Sequence, residues 1–146
     1  MGRVLGLDVG DHRIGIAMSG TLGLTAQRLT ILERRNATHD VEAVRRLVEQ
    51  HGVDTIVVGL PLTMQGEQGI QAKKVTSFSN ALKRLLSIPV ELLDERLTTV
   101  QGERALLEVN ASRRKRKQVL DQVAAQLILQ QFLDTHRRTQ SPPVSP

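Results

Sequence analysis

The order of apolar patterns along the chain predicts an α/β fold, in which helices flank a mixed five-stranded sheet on both faces. Three strand-like runs come first, and helices and strands then alternate towards the end of the chain. Consecutive runs joined by short turns form an antiparallel meander, whereas strands separated by helices pair in parallel through right-handed crossovers. The pattern therefore predicts a three-strand antiparallel meander joined to parallel strands.

The meander is predicted from three runs near the start of the chain, at 2–9, 13–19 and about 24–33. The Gly-Asp-His segment at 10–12 is a short turn of residue types that favour a hairpin between the first two runs. The third run alternates more weakly and is interpreted as the next strand of the meander.

Helices and strands alternate in the rest of the chain. Val41, Val44 and Val48 repeat at three and four residues, which indicates an amphipathic helix, and Gly52 ends it. Residues 54–59 form a β-branched run typical of a strand buried on both faces. A loop, a helix, a strand, a helix, a loop and a last helix are then predicted, at about 60–69, 69–87, 89–95, 97–109, 110–116 and 116–136.

One domain accounts for most of the chain. Its 146 residues are enough to bury one core, and they contain no internal repeat. The domain is predicted to span residues 1–137, and the Pro- and Ser-rich end at 138–146 is predicted to be a disordered tail.

The composition excludes several kinds of site. Because the chain has no cysteine, it can form no disulfide, thiolate zinc site or cysteine nucleophile. Its aromatic residues are two phenylalanines, which argues against a platform for base stacking. No signal peptide precedes the first strand and no apolar run reaches roughly 18–20 residues, so we expect a cytoplasmic location and no membrane span.

The charge favours a polyanionic partner. Lys and Arg number 20 against 15 Asp and Glu, which gives a net charge of +5. One basic run stands shortly before Asp121, where its cations would neutralise phosphates beside a scissile bond and make binding sensitive to salt. The plainer interpretation of such a run is a solvated loop. Its members are Arg113, Arg114, Lys115, Arg116 and Lys117.

Acidic residues stand where a metal-dependent nuclease would need them. Asp8 ends the first apolar run, Asp94 and Glu95 end another, and Asp121 heads the apolar stripe of the last helix. Carboxylates at strand ends can share a site with a carboxylate on a packed helix. Such a cluster holds divalent metal, and two ions about 3.5–4 Å apart clamp a phosphodiester.

Each of these residues also has a purely structural interpretation. Asp8 could be an ordinary turn carboxylate, and Asp94, Glu95 and Arg96 could form a salt-bridge cluster at a strand end. Asp121 could interact favourably with the helix dipole. Arg13 could be a solvated arginine rather than a phosphate ligand. The residues alone do not decide between Asp94 and Glu95 as the metal ligand.

Four motifs in order carry a family resemblance that covers about residues 3 to 134. They are GLDVG with RIGIA at 6–10 and 13–17, VVGLPL at 57–62, DERLTT at 94–99, and Lys117 and Asp121 with the alanine pair at 124–125. Together they resemble the YqgF/RuvX family, whose members are described as Holliday junction resolvases and as pre-16S rRNA nucleases.

The resemblance implies an RNase H-like fold, a cytoplasmic location and maturation of the 5′ end of 16S rRNA. It implies Mg²⁺ or Mn²⁺ as the metal and Asp8, Glu95 and Asp121 as the catalytic acids that bind it. Asp94 is then the less certain ligand. Arg13, Arg96 and the basic run at 113–117 would position the nucleic-acid backbone.

The function predicted on this basis is metal-dependent endonucleolytic hydrolysis of structured nucleic acid, either pre-16S rRNA, a Holliday junction or both. Symmetric cutting of a junction needs two active sites, so a homodimer is a reasonable expectation. One alternative is a catalytically weak nucleic-acid-binding factor in ribosome assembly. Another is an ATPase of the actin-like class, whose phosphate loop the motif at 6–10 also resembles. That class normally needs two such domains, and 146 residues are too few.

Overall fold

A computed structural model describes residues 2–63, 65–97 and 113–140 of the chain. The strands are β1 Arg3–Val9, β2 Arg13–Ser19, β3 Ala26–Glu33, β4 Val53–Leu60 and β5 Val90–Asp94. The helices are α1 Ala37–His51, α2 Ile70–Leu85 and α3 Arg113–Gln140, and a 3₁₀ turn at Glu95–Leu97 follows β5. None of the helices in these described ranges has the length and apolar character needed to cross a membrane.

The five strands form one mixed sheet in the order β3-β2-β1-β4-β5. β1 pairs with β2, and β2 with β3, in antiparallel orientation, whereas β1–β4 and β4–β5 are parallel. The hairpin between β1 and β2 closes through a 2.9 Å bond from the Gly10 N–H to the Arg13 carbonyl. The predicted meander with added parallel strands is therefore confirmed.

The alternation of side chains along the strands divides the core between the two faces of the sheet. Leu5, Leu7 and Val58 belong to the cluster that α1 and α2 cover. Val4 and Val57, one residue out of phase, belong to the cluster that α3 covers. Helices thus lie on both faces, as predicted.

Helix α3 approaches the sheet closely because small residues meet at the contact. A Cβ atom added to Gly6 would lie 2.7 Å from the Leu129 Cβ and 3.1 Å from the Ala125 carbonyl oxygen. Ala124 and Ala125 are themselves buried. Glycine at position 6 is therefore required for α3 to lie where it does.

Helix α1 begins and ends at the residues that its sequence indicates. The Asn36 side chain accepts a 2.8 Å hydrogen bond from the His39 N–H, which satisfies one of the unpaired amides of the first turn. At the other end Gly52 adopts φ of 64°, the left-handed conformation that terminates helices.

The limits of α3 differ from the prediction. The loop predicted at 110–116 is wrong for residues 113–116, which are helical, because Arg and Lys favour helix and no Gly or Pro interrupts the run. α3 also continues to Gln140 and so includes three residues, 138–140, of the predicted tail. Residues 98–112 and 141–146, which include most of the helix predicted at 97–109, lie outside the described residues.

A buried ion pair joins the start of α1 to the hairpin turn. Asp40 is 2% exposed and accepts hydrogen bonds from the Arg34 Nε and the Arg35 N–H, both at 3.1 Å. The Arg34 Nη1 also donates to the Gly10 carbonyl at 3.0 Å, and its guanidinium lies 5.1 Å from the centre of the Phe78 ring. Arg34 thus links the hairpin turn, α1 and α2.

The pKa of Asp40 is lowered by this arrangement. Burial acts to raise the pKa, but hydrogen bonds from the Arg35 N–H, the His39 ring and Arg34, together with the charge of Arg34, outweigh it. A carboxyl whose pKa is lowered on folding stabilises the protein above its unfolded pKa, which is about 3.9 for Asp. That stabilisation is lost as the pH falls through the lower folded value.

Asp40→Asn is expected to lower the free energy of unfolding by about 1.5–3 kcal/mol at pH 7, because charged hydrogen bonds are lost in a buried site. The difference from wild type should narrow as the pH falls below about 4, where Asp40 protonates first in the unfolded state and then, at its lower pKa, in the folded state. Urea denaturation at pH 7 and pH 3 measures both values. The exposed Asp54→Asn is the control, and a difference that does not change with pH would contradict the prediction.

Candidate active site

Two buried carboxylates meet at the edge of the sheet where the parallel strands end. Asp8 lies near the end of β1 and Glu95 directly follows β5, and they are 6% and 1% exposed. Parallel strands bring their carboxyl ends to one edge, which is where sites form in open α/β sheets. Burying such groups is costly unless donors or cations compensate.

Asp8 belongs to the face of the sheet that α3 covers. Leu7 and Val9 pack into the α1/α2 cluster, so the side chain between them projects to the other face, as does that of Val4. Gly15 is the partner of Asp8 on β2 and brings no side chain to the same face.

Glu95 reaches the same face by lying over Gly59. A Cβ atom added to Gly59 would be only 2.8 Å from the Glu95 Oε1, and it would also collide with Ile128 of α3. The β1–β4 register pairs Leu7 with Val58, so Asp8 and Gly59 are one step further along strands about 4.8 Å apart. The two carboxylates thus lie over neighbouring strands.

Asp94 takes part in a different interaction. It accepts hydrogen bonds from the Arg96 Nε at 3.1 Å, the Arg96 Nη2 at 2.7 Å and the Arg96 N–H at 2.9 Å. The side-chain bond from Arg96 lowers the pKa of Asp94 most, against a smaller opposing effect of burial. Leu93 packs on the α3 face, so alternation along β5 turns Asp94 away from Asp8.

Arg96 also borders the loop that joins β4 to α2. A Cβ atom on Gly66 would lie 3.0 Å from the Arg96 Nη1, and Gly66 has a φ of 83°. A bridge between Leu62 and Gln68 and a 2.9 Å bond from the Thr63 N–H to the Glu67 carbonyl hold this loop. Arg96 therefore lies between Asp94 and a tight loop at the edge that carries the acids.

For the remaining predicted site residues, the structure gives a contact for Arg13 and only the backbone position of Asp121 and of the basic run at 113–117. Arg13 starts β2, and its Nε lies 3.4 Å from a Glu33 carboxylate oxygen. Asp121 lies on α3 one turn before Ala125, whose carbonyl faces Gly6. The basic run at 113–117 forms the first turns of α3. The side chains of Asp121 and of this run lie outside the described residues.

Among the side chains that the structure describes, no group of three or more His, Asp or Glu could hold a metal ion. Gly59 was not singled out from the sequence as the residue that makes room for Glu95. The signal was present, because glycine within a buried β-branched strand marks a close approach.

The chain matches the model of a known family over residues 2–135, and that family is described as the Holliday junction resolvase RuvX. The chain belongs to the RuvX family. Its predicted membership is thereby confirmed.

Curated relatives agree with this assignment. A protein of Moorella thermoacetica is 52% identical over 132 residues, which cover 90% of this chain and 94% of the relative. A protein of Clostridium acetobutylicum is 47% identical over 133 residues, 91% of this chain and 98% of the relative. Both carry the name "Putative pre-16S rRNA nuclease".

Solved structures agree on the fold. The RuvC protein of Thermus thermophilus, determined in complex with a Holliday junction substrate, superposes with a TM-score of 0.60 at 14% identity. The match covers 95% of this chain and 98% of that one. The predicted RNase H-like fold of this RuvX-family chain is confirmed.

Gly59→Ala is expected to lower the free energy of unfolding by about 1–3 kcal/mol, because the added methyl overlaps Glu95 and Ile128. Combining it with Glu95→Ala should recover part of this cost, with a coupling energy of about 0.5–3 kcal/mol. Urea denaturation of the two single variants and the double variant measures the coupling. Gly69→Ser is the control, since a Cβ there meets nothing closer than 3.9 Å. Strict additivity would show that Glu95 does not lie over Gly59.

Proposed function

We propose that this RuvX-family chain is an endonuclease that hydrolyses phosphodiester bonds in structured nucleic acid with the help of divalent metal. The observation that carries the proposal is the pair of buried carboxylates, Asp8 and Glu95, over neighbouring strands at one edge of the sheet. Two carboxylates buried over neighbouring strands are suited to a cation between or beside them. Membership of the RuvX family, which is described as a Holliday junction resolvase, also supports a nuclease activity.

The donor set fits a hard divalent cation. Asp8 and Glu95 offer carboxylate oxygens, which Mg²⁺ and Mn²⁺ prefer, and Asp121 would add a third from α3. When bound, such an ion supplies Lewis-acid polarisation of the phosphodiester and lowers the pKa of water. Asp94 is better assigned to the ion pair with Arg96 than to the metal.

The other residues of the edge have supporting roles in this proposal. The Asp94–Arg96 pair fixes the turn that carries Glu95, and Gly59 leaves space for the Glu95 carboxylate. Arg13 and the exposed part of Arg96 contact phosphates flanking the scissile bond. The basic run at 113–117 would do so from the start of α3.

The proposed substrate is the 5′ end of pre-16S rRNA, a four-way DNA junction or both. The names of the curated relatives favour the RNA, and the complex of the RuvC protein favours the junction. With two phenylalanines and no Tyr or Trp, recognition would depend on backbone shape rather than base stacking. Symmetric cutting of a junction requires two active sites, which a homodimer would supply. Processing of rRNA would place the protein in the cytoplasm.

Asp8→Asn and Glu95→Gln are each expected to reduce cleavage on the order of 1000-fold, because a metal ligand worth several kcal/mol is lost. Asp94→Asn should cost roughly 10–100-fold, as expected for a residue that orients a ligand. The assay follows labelled pre-16S leader RNA and a four-way DNA junction with Mg²⁺, Mn²⁺ or EDTA.

Asp54→Asn is the matched control for that assay, since Asp54 is exposed near the start of β4, at the opposite edge. Cleavage that persists in EDTA, or full activity in Asp8→Asn, would refute the metal mechanism. Salt-sensitive binding without cleavage of either substrate would instead identify a nucleic-acid-binding factor of ribosome assembly.

A further inference from the structure

A basic groove of about 580 Å³ lies on the side of the sheet that α1 and α2 cover. One wall is a row of α2 residues that includes Lys73, Lys74 and Arg84. The opposite wall is formed by Arg34 and Ala37 at the start of α1. Every charged residue that lines this groove is a cation.

The cations of α2 are spaced for an extended polyanion. Lys73, Ser77 and Arg84 are four and seven residues apart and share one face of the helix. Lys73 and Arg84 are separated by eleven residues, or about 16 Å along the helix axis. One strand of a duplex carries a phosphate about every 3.4 Å of axis, so this length matches roughly five phosphates. Ser77 and Ala81 between them are small and let a backbone approach.

The cations are available for an external partner. Lys73 and Arg84 are exposed on the surface of α2. Lys74 lies 3.2 Å from Asp11, but both side chains are about half exposed, at 55% and 53%, and such pairs contribute little. Arg34 is paired with Asp40, which balances its charge, so the net positive charge of the basic groove comes from α2. The Arg34 guanidinium lies 5.1 Å from the centre of the Phe78 ring, which also lines the groove.

The basic groove begins beside the edge that carries the acids. Lys74 pairs with Asp11 in the turn that follows Asp8, and the Gln71 Nε2 donates to the Val9 carbonyl at 3.3 Å. From there α2 leads away over the face opposite to α3. If the scissile strand of a nucleic acid lay across the edge that carries the acids, the adjoining segment of that nucleic acid would lie in the basic groove.

We propose that the basic groove binds the phosphate backbone of a second arm of the same nucleic-acid substrate, outside the scissile segment. This inference rests on the proposed function for the identity of the substrate. It assigns to α2 a role in binding branched or folded substrates. The basic groove and α3 lie on opposite faces of the sheet, and the edge that carries the acids lies between them.

The test is equilibrium binding of Lys73→Gln/Arg84→Gln to fluorescent junction DNA and to pre-16S leader RNA, in EDTA so that no cleavage occurs. Loss of two phosphate contacts should reduce the slope of log affinity against log salt by about 1.8 and weaken binding roughly 30-fold at 0.15 M salt. Hydroxyl-radical footprints should lose a protected segment away from the cut site.

Lys83→Gln/Arg46→Gln is the matched control, because it removes two exposed cations of α2 and α1 that do not line the basic groove. We expect its salt slope and footprint to resemble wild type. All four positions are exposed, so stability should change by no more than about 0.5 kcal/mol each. Thermal denaturation checks this.

Equal affinity, slope and footprint in the groove and control variants would overturn the proposal. The failure of the proposed function is a separate result. Wild-type protein that binds through the basic groove but never cuts would leave the groove standing and refute the nuclease. If wild-type protein cuts the substrate and the groove variant binds it as tightly as wild type, the role of the groove alone is refuted. If wild-type protein binds no nucleic acid, both the groove proposal and the proposed function are refuted.

Discussion

The close packing of α3 against β1 and β4 is the constraint on which the candidate site depends. Gly6 and Gly59 are the positions where any side chain would collide with α3. Gly59 leaves room both for Ile128 of α3 and for the Glu95 carboxylate. The same residue is therefore needed for helix packing and for the position of Glu95.

The fold contains buried acids of two kinds. Asp40 is compensated by cationic and amide donors of the chain itself, which lower its pKa and tie the hairpin turn to both helices. Asp8 and Glu95 are buried over neighbouring strands, at the edge of the sheet where the parallel strands end. The first arrangement stabilises the fold at neutral pH, and the second is typical of a site built for a cation.

Local pattern predicted the strands, the limits of α1 and the places of Asp8 and Glu95 near strand ends, because these depend on neighbours in sequence. It could not separate Asp94 from Glu95, since one residue of shift at a strand end reverses the face. The Arg34–Asp40 pair depends on how a loop and a helix meet in space. Lys73 and Arg84 belong to what looks like an ordinary solvated helix face, and only the fold places Arg34 opposite them.

The order of the strands places Asp8 on a central strand and Glu95 next to a marginal one. Asp8 belongs to β1, which is flanked by β2 and β4, whereas Glu95 follows β5, a five-residue strand that pairs with β4 at the margin of the sheet as far as it is described. Marginal strands open in local fluctuations that leave the rest of a domain folded. The strand that leads to Glu95 is therefore expected to open more often than the strand that carries Asp8, and a cation held by both carboxylates would reduce that difference.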